Sequence, residues 1–290
     1  MQEKEQLLYK VKLLMNPDTT FPFLNVSFYR FLDIAQEELP LWRASMKERA
    51  LHFGLKGTIL LSREGINGFL SGAPEKLRAF LSELQSNYAG LAGLDPKESF
   101  SHDQPFRRML VRLKKEIITM GVPMIRPKET TGPRVEPETL KQWLDQGDEV
   151  VLVDTRNDYE VKLGTFEGAK LLDLKTFRQF PERLKAVTEE WKDKRVVMFC
   201  TGGIRCEKAT ALAQDYGFKD VWQLEGGILR YFEKVGGAHW NGECFVFDHR
   251  VALDSELKET STAQCFDCRA VLSLDEQKPG AHQCQRDVKK

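Results

Sequence analysis

Two rhythms of apolar residues divide this chain. In the first half, short stretches rich in aromatic and β-branched residues alternate with helical periodicity. Val26-Ser-Phe-Tyr-Arg-Phe-Leu-Asp-Ile34 reads as a strand, and a helix follows over about residues 40–53. Gly57-Thr-Ile-Leu-Leu-Ser62 and Gly68-Phe-Leu-Ser71 form a strand pair, joined through the turn-rich Arg63-Glu-Gly-Ile-Asn67. Residues 74–84 repeat at helical spacing, with Leu77, Phe80, Leu81 and Leu84 on one face. A last strand is predicted over residues 108–119, where Leu110, Arg112 and Lys114 alternate with Val111 and Leu113. The order βαββαβ is that of a ferredoxin-like α+β sandwich.

The second half changes pattern. Glu149-Val-Val-Leu-Val-Asp154 and Arg195-Val-Val-Met-Phe199 are continuous apolar runs, and Val221-Trp-Gln-Leu224 is a shorter one. Strands without polar alternation, separated by helices, indicate a parallel sheet covered on both faces. Ligands in such sheets bind beyond the carboxyl ends of the strands. Three segments fall at that edge: Asp154-Thr-Arg156, the loop that starts at Cys200, and Glu225-Gly-Gly-Ile228. Between the halves, residues 121–137 hold Pro123, Pro127, Pro133 and Pro137, the chemistry of an extended connection. The expected organisation is an α/β chain in four parts. Residues 1–120 form the ferredoxin-like domain, 121–137 a linker, 138–240 the parallel-sheet domain, and 241–290 a Cys-containing extension.

Charge narrows the partners. Among 290 residues, 43 basic and 43 acidic side chains cancel, so a polyanion would need a local patch. Arg107, Arg108, Arg112, Lys114 and Lys115 cluster near the last strand of the first half, and Arg126, Lys128 and Arg134 follow in the linker. They form a candidate nucleic-acid stripe, with an ordinary solvated face as the alternative. The N-terminus lacks the basic-then-apolar order of a signal peptide, and no apolar stretch approaches membrane-spanning length. Six cysteines without a disulfide-like framework fit a soluble protein of a reducing cytoplasm.

The strongest chemical signal is Cys200-Thr-Gly-Gly-Ile-Arg-Cys206. A buried strand ending in a thiol, then a Gly turn and a helix start, directs backbone N–H groups and the helix N-terminus at the sulfur. That lowers the thiol pKa and yields the nucleophilic thiolate. Arg205 adds a fixed positive charge, and Thr201, Gly202, Gly203 and Ile204 complete a cradle sized for a small group. Cysteine phosphatases use one residue more, Cys-x5-Arg. Here the sixth position after Cys200 is Cys206, which reads as structural, with resolution of an oxidised or persulfidated Cys200 as a second role. Asp154 and Arg156 are expected to brace the loop as a charge pair.

Residues 151–228 resemble the rhodanese domain, through Val153-Asp-Thr-Arg156 with Glu160, Gly164-Thr-Phe-Glu-Gly-Ala169, the Cys200 loop and Leu224-Glu-Gly-Gly-Ile228. Thr165 stands where that family commonly has His. Further motifs are Glu64-Gly-Ile-Asn67, Phe245-Val-Phe-Asp-His-Arg250 and a Cys-x2-Cys tail. Together, over about residues 25–270, they resemble the bacterial rhodanese-domain tRNA uridine hydroxylases. That resemblance implies a tRNA partner and oxygen-dependent formation of 5-hydroxyuridine at the wobble position, with O2 as co-substrate. It also puts the active-site cysteine on Cys200, as a persulfide or oxidised thiol. Neither a nicotinamide or flavin fingerprint nor a two-His-one-carboxylate spacing is present. Other classes remain: a sulfurtransferase or persulfide carrier, and a non-catalytic tRNA-binding module. Tyr159, Phe166 and Trp222 are candidates for stacking on a flipped base. In the tail, Cys265, Cys268, His282 and Cys284 have spacing for a structural zinc, with free thiols on a frayed terminus as the alternative. No obligate protein partner is evident.

Overall fold

The computed structural model describes residues 22–265, 268, 270–272, 275–278 and 280–284. The first half comprises β1 (Phe23–Phe31), α1 (Glu38–His52), β2 (Lys56–Ser62), β3 (Gly65–Gly72), α2 (Pro74–Asn87), β4 (Lys97–Ser101) and β5 (Met109–Leu113). They form one sheet in the order β4-β1-β3-β2-β5. The two-residue turn between β2 and β3 fixes their antiparallel register, with Ser62 opposite Gly65. Strand alternation sorts the two faces. Leu24, Val26, Phe28, Ile59, Leu61, Ile66 and Leu70 are buried against Met46, Ala50, Leu77, Phe80, Leu81 and Leu84 of the two helices. Ser27, Tyr29, Leu60, Asn67 and Phe69, at the intervening positions, face the other way, where no helix of this half covers them.

One strand differs from the expectation. The place beside β1 that completes a ferredoxin-like sheet belongs to Lys97–Ser101, a charged edge strand with no apolar run to announce it. The stretch expected to fill it is a strand only over Met109–Leu113, which pairs parallel with β2 at the far edge.

The second half holds β6 (Arg134–Val135), α3 (Pro137–Gln146), β7 (Val150–Asp154), α4 (Asp158–Val161), β8 (Gly164–Phe166), β9 (Lys170–Leu171), a 3-10 turn (Phe177–Gln179), α5 (Phe180–Trp191), β10 (Arg195–Phe199), α6 (Ile204–Asp215), β11 (Asp220–Leu224) and α7 (Gly227–Val235). Its sheet, β6-β11-β10-β7-β9, is wholly parallel. The apolar strands supply a core on each face: Val153, Val196 and Met198 on one, Leu152, Val197 and Phe199 on the other. Beyond it, β12 (Trp240–Gly242) pairs with β8, and β13 (Cys244–Phe245) with β14 (Ala252–Leu253). In the tail, β15 (Ala263–Gln264) pairs with β16 (Val271–Leu272).

The Pro-rich connection is no loose tether. Ile125 enters the second core, the Gly132 N–H donates to Thr210 Oγ1 at 3.0 Å, and Arg134–Val135 adds β6 to the sheet edge. The two halves are also clamped directly. Lys208 of α6, 1% exposed, reaches Glu64 Oε2 at 2.8 Å, Glu116 Oε2 at 2.7 Å and Ile118 O at 3.0 Å. Glu207 receives Tyr29 Oη at 3.0 Å, Arg134 Nη2 at 2.6 Å and Gln223 Nε2 at 3.2 Å. Buried charges are retained where every donor finds an acceptor, and both residues meet that condition. No helix among the described residues is long and apolar enough to cross a membrane.

Candidate active site

Cys200 follows β10 at the carboxyl edge of the parallel sheet and is fully buried. The Gly203 N–H points at its sulfur, 3.2 Å away. Gly203 has φ +94°, a conformation that turns the chain into α6 and favours glycine, and a Cβ there would stand 3.0 Å from Tyr29 Oη. The loop is fastened from beneath by α7, whose Ile228 and Leu229 N–H groups donate to Cys200 O and Thr201 O at 3.0 and 3.1 Å. At Gly227 a Cβ would come within 2.4 Å of Cys200 O, so this close approach requires glycine. The Glu225-Gly-Gly-Ile228 motif is thus the seat of the cysteine loop.

Burial by itself would raise the Cys200 pKa. The neighbouring Cys206 thiol outweighs it, together with the Arg205 charge and the Arg205 backbone N–H, and the pKa falls to about 5. Cys206 moves in the opposite direction, well above the ordinary thiol range, because it is buried and lies beside the charged Cys200 sulfur. The hydrogen-bond contact that the Cys206 thiol makes is with Thr155 Oγ1, 3.7 Å away, so it packs beside Cys200 as a buried neutral thiol. Cys244, buried beside β14, is pushed up to about 12. At neutral pH these three buried cysteines divide into one anion and two neutral thiols.

Arg205 does not face the cavity as a free cation. Its guanidinium makes a bidentate pair with Glu160, Nη1 to Oε2 at 2.6 Å and Nη2 to Oε1 at 2.7 Å, with both side chains buried. Glu160 also accepts from the Asn157 N–H at 3.0 Å, which anchors it at the start of α4. Asp154 and Arg156 form a second buried bidentate pair, but it supports β8 more than the cysteine loop. Arg156 Nη2 donates to Gly164 O at 2.6 Å, and Thr165 Oγ1 donates to Asp154 Oδ2 at 2.8 Å. Thr165, the departure from the usual His, thus serves as a hydroxyl donor to this pair. Between them, Thr155 holds Phe199 O, one residue before Cys200, through both its N–H and its hydroxyl.

Cys200 lines a cavity of about 390 Å³ between the two halves, within the roughly 300–1,000 Å³ of small-ligand sites. Cys200, Thr201, Gly202, Ile204 and Arg205 line it on one side. Ser27, Tyr29, Leu60, Asn67 and Phe69, the uncovered sheet face, line the other. Residues 116–119, Phe177 and Phe247 close the walls. Phe247 belongs to the Phe245–Arg250 motif, which straps both halves. Thr201 Oγ1 donates to Phe245 O at 3.4 Å, the His249 N–H donates to Pro105 O at 3.1 Å, and Arg250 Nη1 reaches Ser99 Oγ at 2.8 Å. Phe247 is 42% exposed, packs on Phe69 at 5.8 Å between ring centroids, and has the Arg205 guanidinium 5.8 Å from its ring.

None of the three candidate stacking residues lines the cavity. Phe166 is buried in a cluster with Phe199, Tyr231 and Trp240, and Trp222 packs edge-on against Trp143. Tyr159 packs against Phe245, behind the wall that Phe247 forms. The sequence reading missed Tyr29, Asn67, Phe69 and Phe247 as cavity residues. Alternation on β1 and β3 carried the signal, since it places an aromatic and polar face where a covering helix would need apolar residues.

The basic residues divide into two groups. Arg108, Arg112 and Lys114 are exposed on and beside the edge strand β5, and Lys114 also lines the cavity. Arg126 and Lys128 are both engaged by Asp33, at 3.1 and 2.6 Å. In the tail, the ligand atoms of Cys265, Cys268, His282 and Cys284 all lie within 4.8 Å of one another, an arrangement that could hold a metal ion.

Fold and site define the class: an acylphosphatase-like domain joined to a rhodanese domain whose loop cysteine lines the cavity between them. The UPF0176 acylphosphatase like domain matches residues 23–117, and the Rhodanese-like domain matches residues 136–234. A protein of Cupriavidus necator named tRNA uridine(34) hydroxylase is 51% identical over 259 residues, which are 88% of this chain and 91% of that one. Proteins of the same name from Ralstonia nicotianae and Burkholderia mallei are 49% and 48% identical, over 88% of this chain and 91% and 87% of theirs. This chain belongs to the tRNA uridine(34) hydroxylase family.

Proposed function

We propose that this protein hydroxylates the wobble uridine of tRNA to 5-hydroxyuridine, with O2 as co-substrate and Cys200 as the reactive group. The observation that carries the reading is a buried cysteine, its thiol pKa lowered, lining a cavity faced with aromatic side chains. A flipped pyrimidine needs a pocket with stacking walls, and the names of the relatives point to the substrate. In this scheme Cys200 is the nucleophile. Arg205 holds its charge, and Thr201, Gly202, Gly203 and Ile204 shape the loop. Glu160, Asp154 and Arg156 keep the surrounding elements in place. Arg108, Arg112 and Lys114 take the tRNA backbone at the cavity edge, while Arg126 and Lys128 contribute only by exchanging Asp33 for phosphate. A tRNA substrate is consistent with a cytoplasmic protein. Sulfur transfer from a small anion such as thiosulfate fits the apolar walls and the Glu160-paired Arg205 less well.

The test is mass spectrometry of tRNA nucleosides from a strain in which this gene and any redundant route are absent. 5-Hydroxyuridine and its derivatives disappear and return with the intact gene. Their persistence in the deletion strain would refute the reading.

The tail cluster fits zinc by its donors, three thiolates and an imidazole. Cys265 Sγ and Cys284 Sγ are 3.9 Å apart, and Cys268 Sγ is 3.2 Å from His282 Nε2. Tetrahedral zinc–thiolate geometry places sulfurs about 3.8 Å apart. The ion would be structural, since all four ligand positions are protein side chains. Metal analysis of the full chain is expected to give one zinc per chain, lost in Cys268→Ser. A metal-free chain with unchanged thermal stability under chelation would count against it.

A further inference from the structure

Within the Glu64-Gly-Ile-Asn67 motif, Glu64 is accounted for by the Lys208 clamp, but Asn67 is not. Asn67 stands on β3 opposite Tyr29 of β1, is 6% exposed, and lines the cavity that holds Cys200. Its Nδ2 donates to Ile117 O at 3.1 Å. A backbone carbonyl only accepts, so the amide nitrogen must face Ile117 and the carboxamide cannot turn over. The Oδ1 is therefore a fixed acceptor, and no hydrogen-bond partner for it occurs among the described residues. Ile117 is itself held, because its N–H donates to Glu64 Oε1 at 2.7 Å, and Glu64 is tied to Lys208. The acceptor is thus rigid through three successive contacts.

We propose that Asn67 selects the base by accepting the uracil N3–H, which makes it the residue that separates uridine from cytidine at the wobble position. The inference rests on the uridine reading above. Uracil carries a donor at N3, whereas cytosine carries a lone pair there. Oδ1 therefore gains a partner from one base and meets another acceptor on the other. An asparagine free to rotate would serve both bases by presenting Nδ2 to cytosine. The Ile117 contact removes that freedom, so the discrimination comes from an acceptor that the wrong base covers without pairing it.

The experiment measures binding of the full-length chain to synthetic anticodon stem-loops, under anaerobic conditions so that no turnover intervenes. The loops carry uridine, cytidine or 3-methyluridine at the wobble position. The wild-type chain is expected to bind the uridine loop about tenfold more tightly than either of the others, the effect of one buried hydrogen bond exchanged for an unpaired acceptor. Asn67→Leu, of similar shape and without the acceptor, is expected to bind all three alike. Because 3-methyluridine removes the donor from the RNA, the wild-type comparison stands even if the variant folds poorly. A wild-type chain that restores 5-hydroxyuridine in the deletion strain yet binds the three loops equally overturns the Asn67 assignment alone. A chain that restores none overturns the uridine reading and this assignment with it.

Discussion

Cys200→Ser is expected to reduce 5-hydroxyuridine in tRNA to the level of the deletion strain, a loss of at least about a thousandfold in rate, as for other catalytic nucleophiles. The hydroxyl fits the same space, but at neutral pH it stays protonated, so the groups gathered around the sulfur have no anion to stabilise. The same groups fix the pH behaviour. With the thiol pKa lowered to about 5, Cys200 is ionised above that value and protonated below it. Iodoacetamide labelling at this position, followed by peptide mass spectrometry, should be flat from pH 6 to 8 and decline as pH falls through 5. Cys206 and Cys244, whose pKa values move upward, should stay unlabelled over that range. A labelling rate at Cys200 that climbs toward pH 9, as for an ordinary thiol, would remove the electrostatic basis of the site.

Removal of Glu160 should produce the largest loss of stability. Arg205 is 4% exposed and Glu160 is fully buried, so Glu160→Ala leaves a guanidinium in the interior with no counter-charge. Breaking a buried pair in this way costs about 3–5 kcal/mol, measurable as a lower midpoint in urea unfolding. A second readout distinguishes this role from simple packing. Without Glu160 the Arg205 charge acts on Cys200 unopposed, so the labelling transition of Cys200 should move to lower pH. Glu160→Gln, which keeps the shape and part of the hydrogen bonding, should lie between wild type and Ala in both measurements. A stability change below about 1 kcal/mol in Glu160→Ala would show that water reaches the pair.

The Cys200 loop was legible because it depends on local order: an apolar strand, two glycines, an arginine and a helix start. The parallel sheet was legible for the same reason, since buried strands such as Arg195–Phe199 lack polar alternation. The fourth ferredoxin-like strand was not, because Lys-Glu-Ser-Phe-Ser is held by edge hydrogen bonds and leaves little apolar pattern. The true partner of Arg205 was also hidden. Glu160 stood among the quoted motif residues, but only the fold brings a residue 45 positions away into a bidentate contact. The same limit applies to the cavity walls. Tyr29, Phe69 and Phe247 are far apart in sequence, whereas the stacking candidates Tyr159, Phe166 and Trp222 all belong to the cysteine's own domain.

The strap over residues 245–250 bears on biosynthesis. Phe247 and the Arg250–Ser99 contact complete the enclosure around Cys200, and both are made late in translation, after the two sheets have left the ribosome. A nascent chain released before that point would carry a charged sulfur under an unfinished roof. The order of synthesis therefore delays closure of the cavity until residues 245–250 have been made.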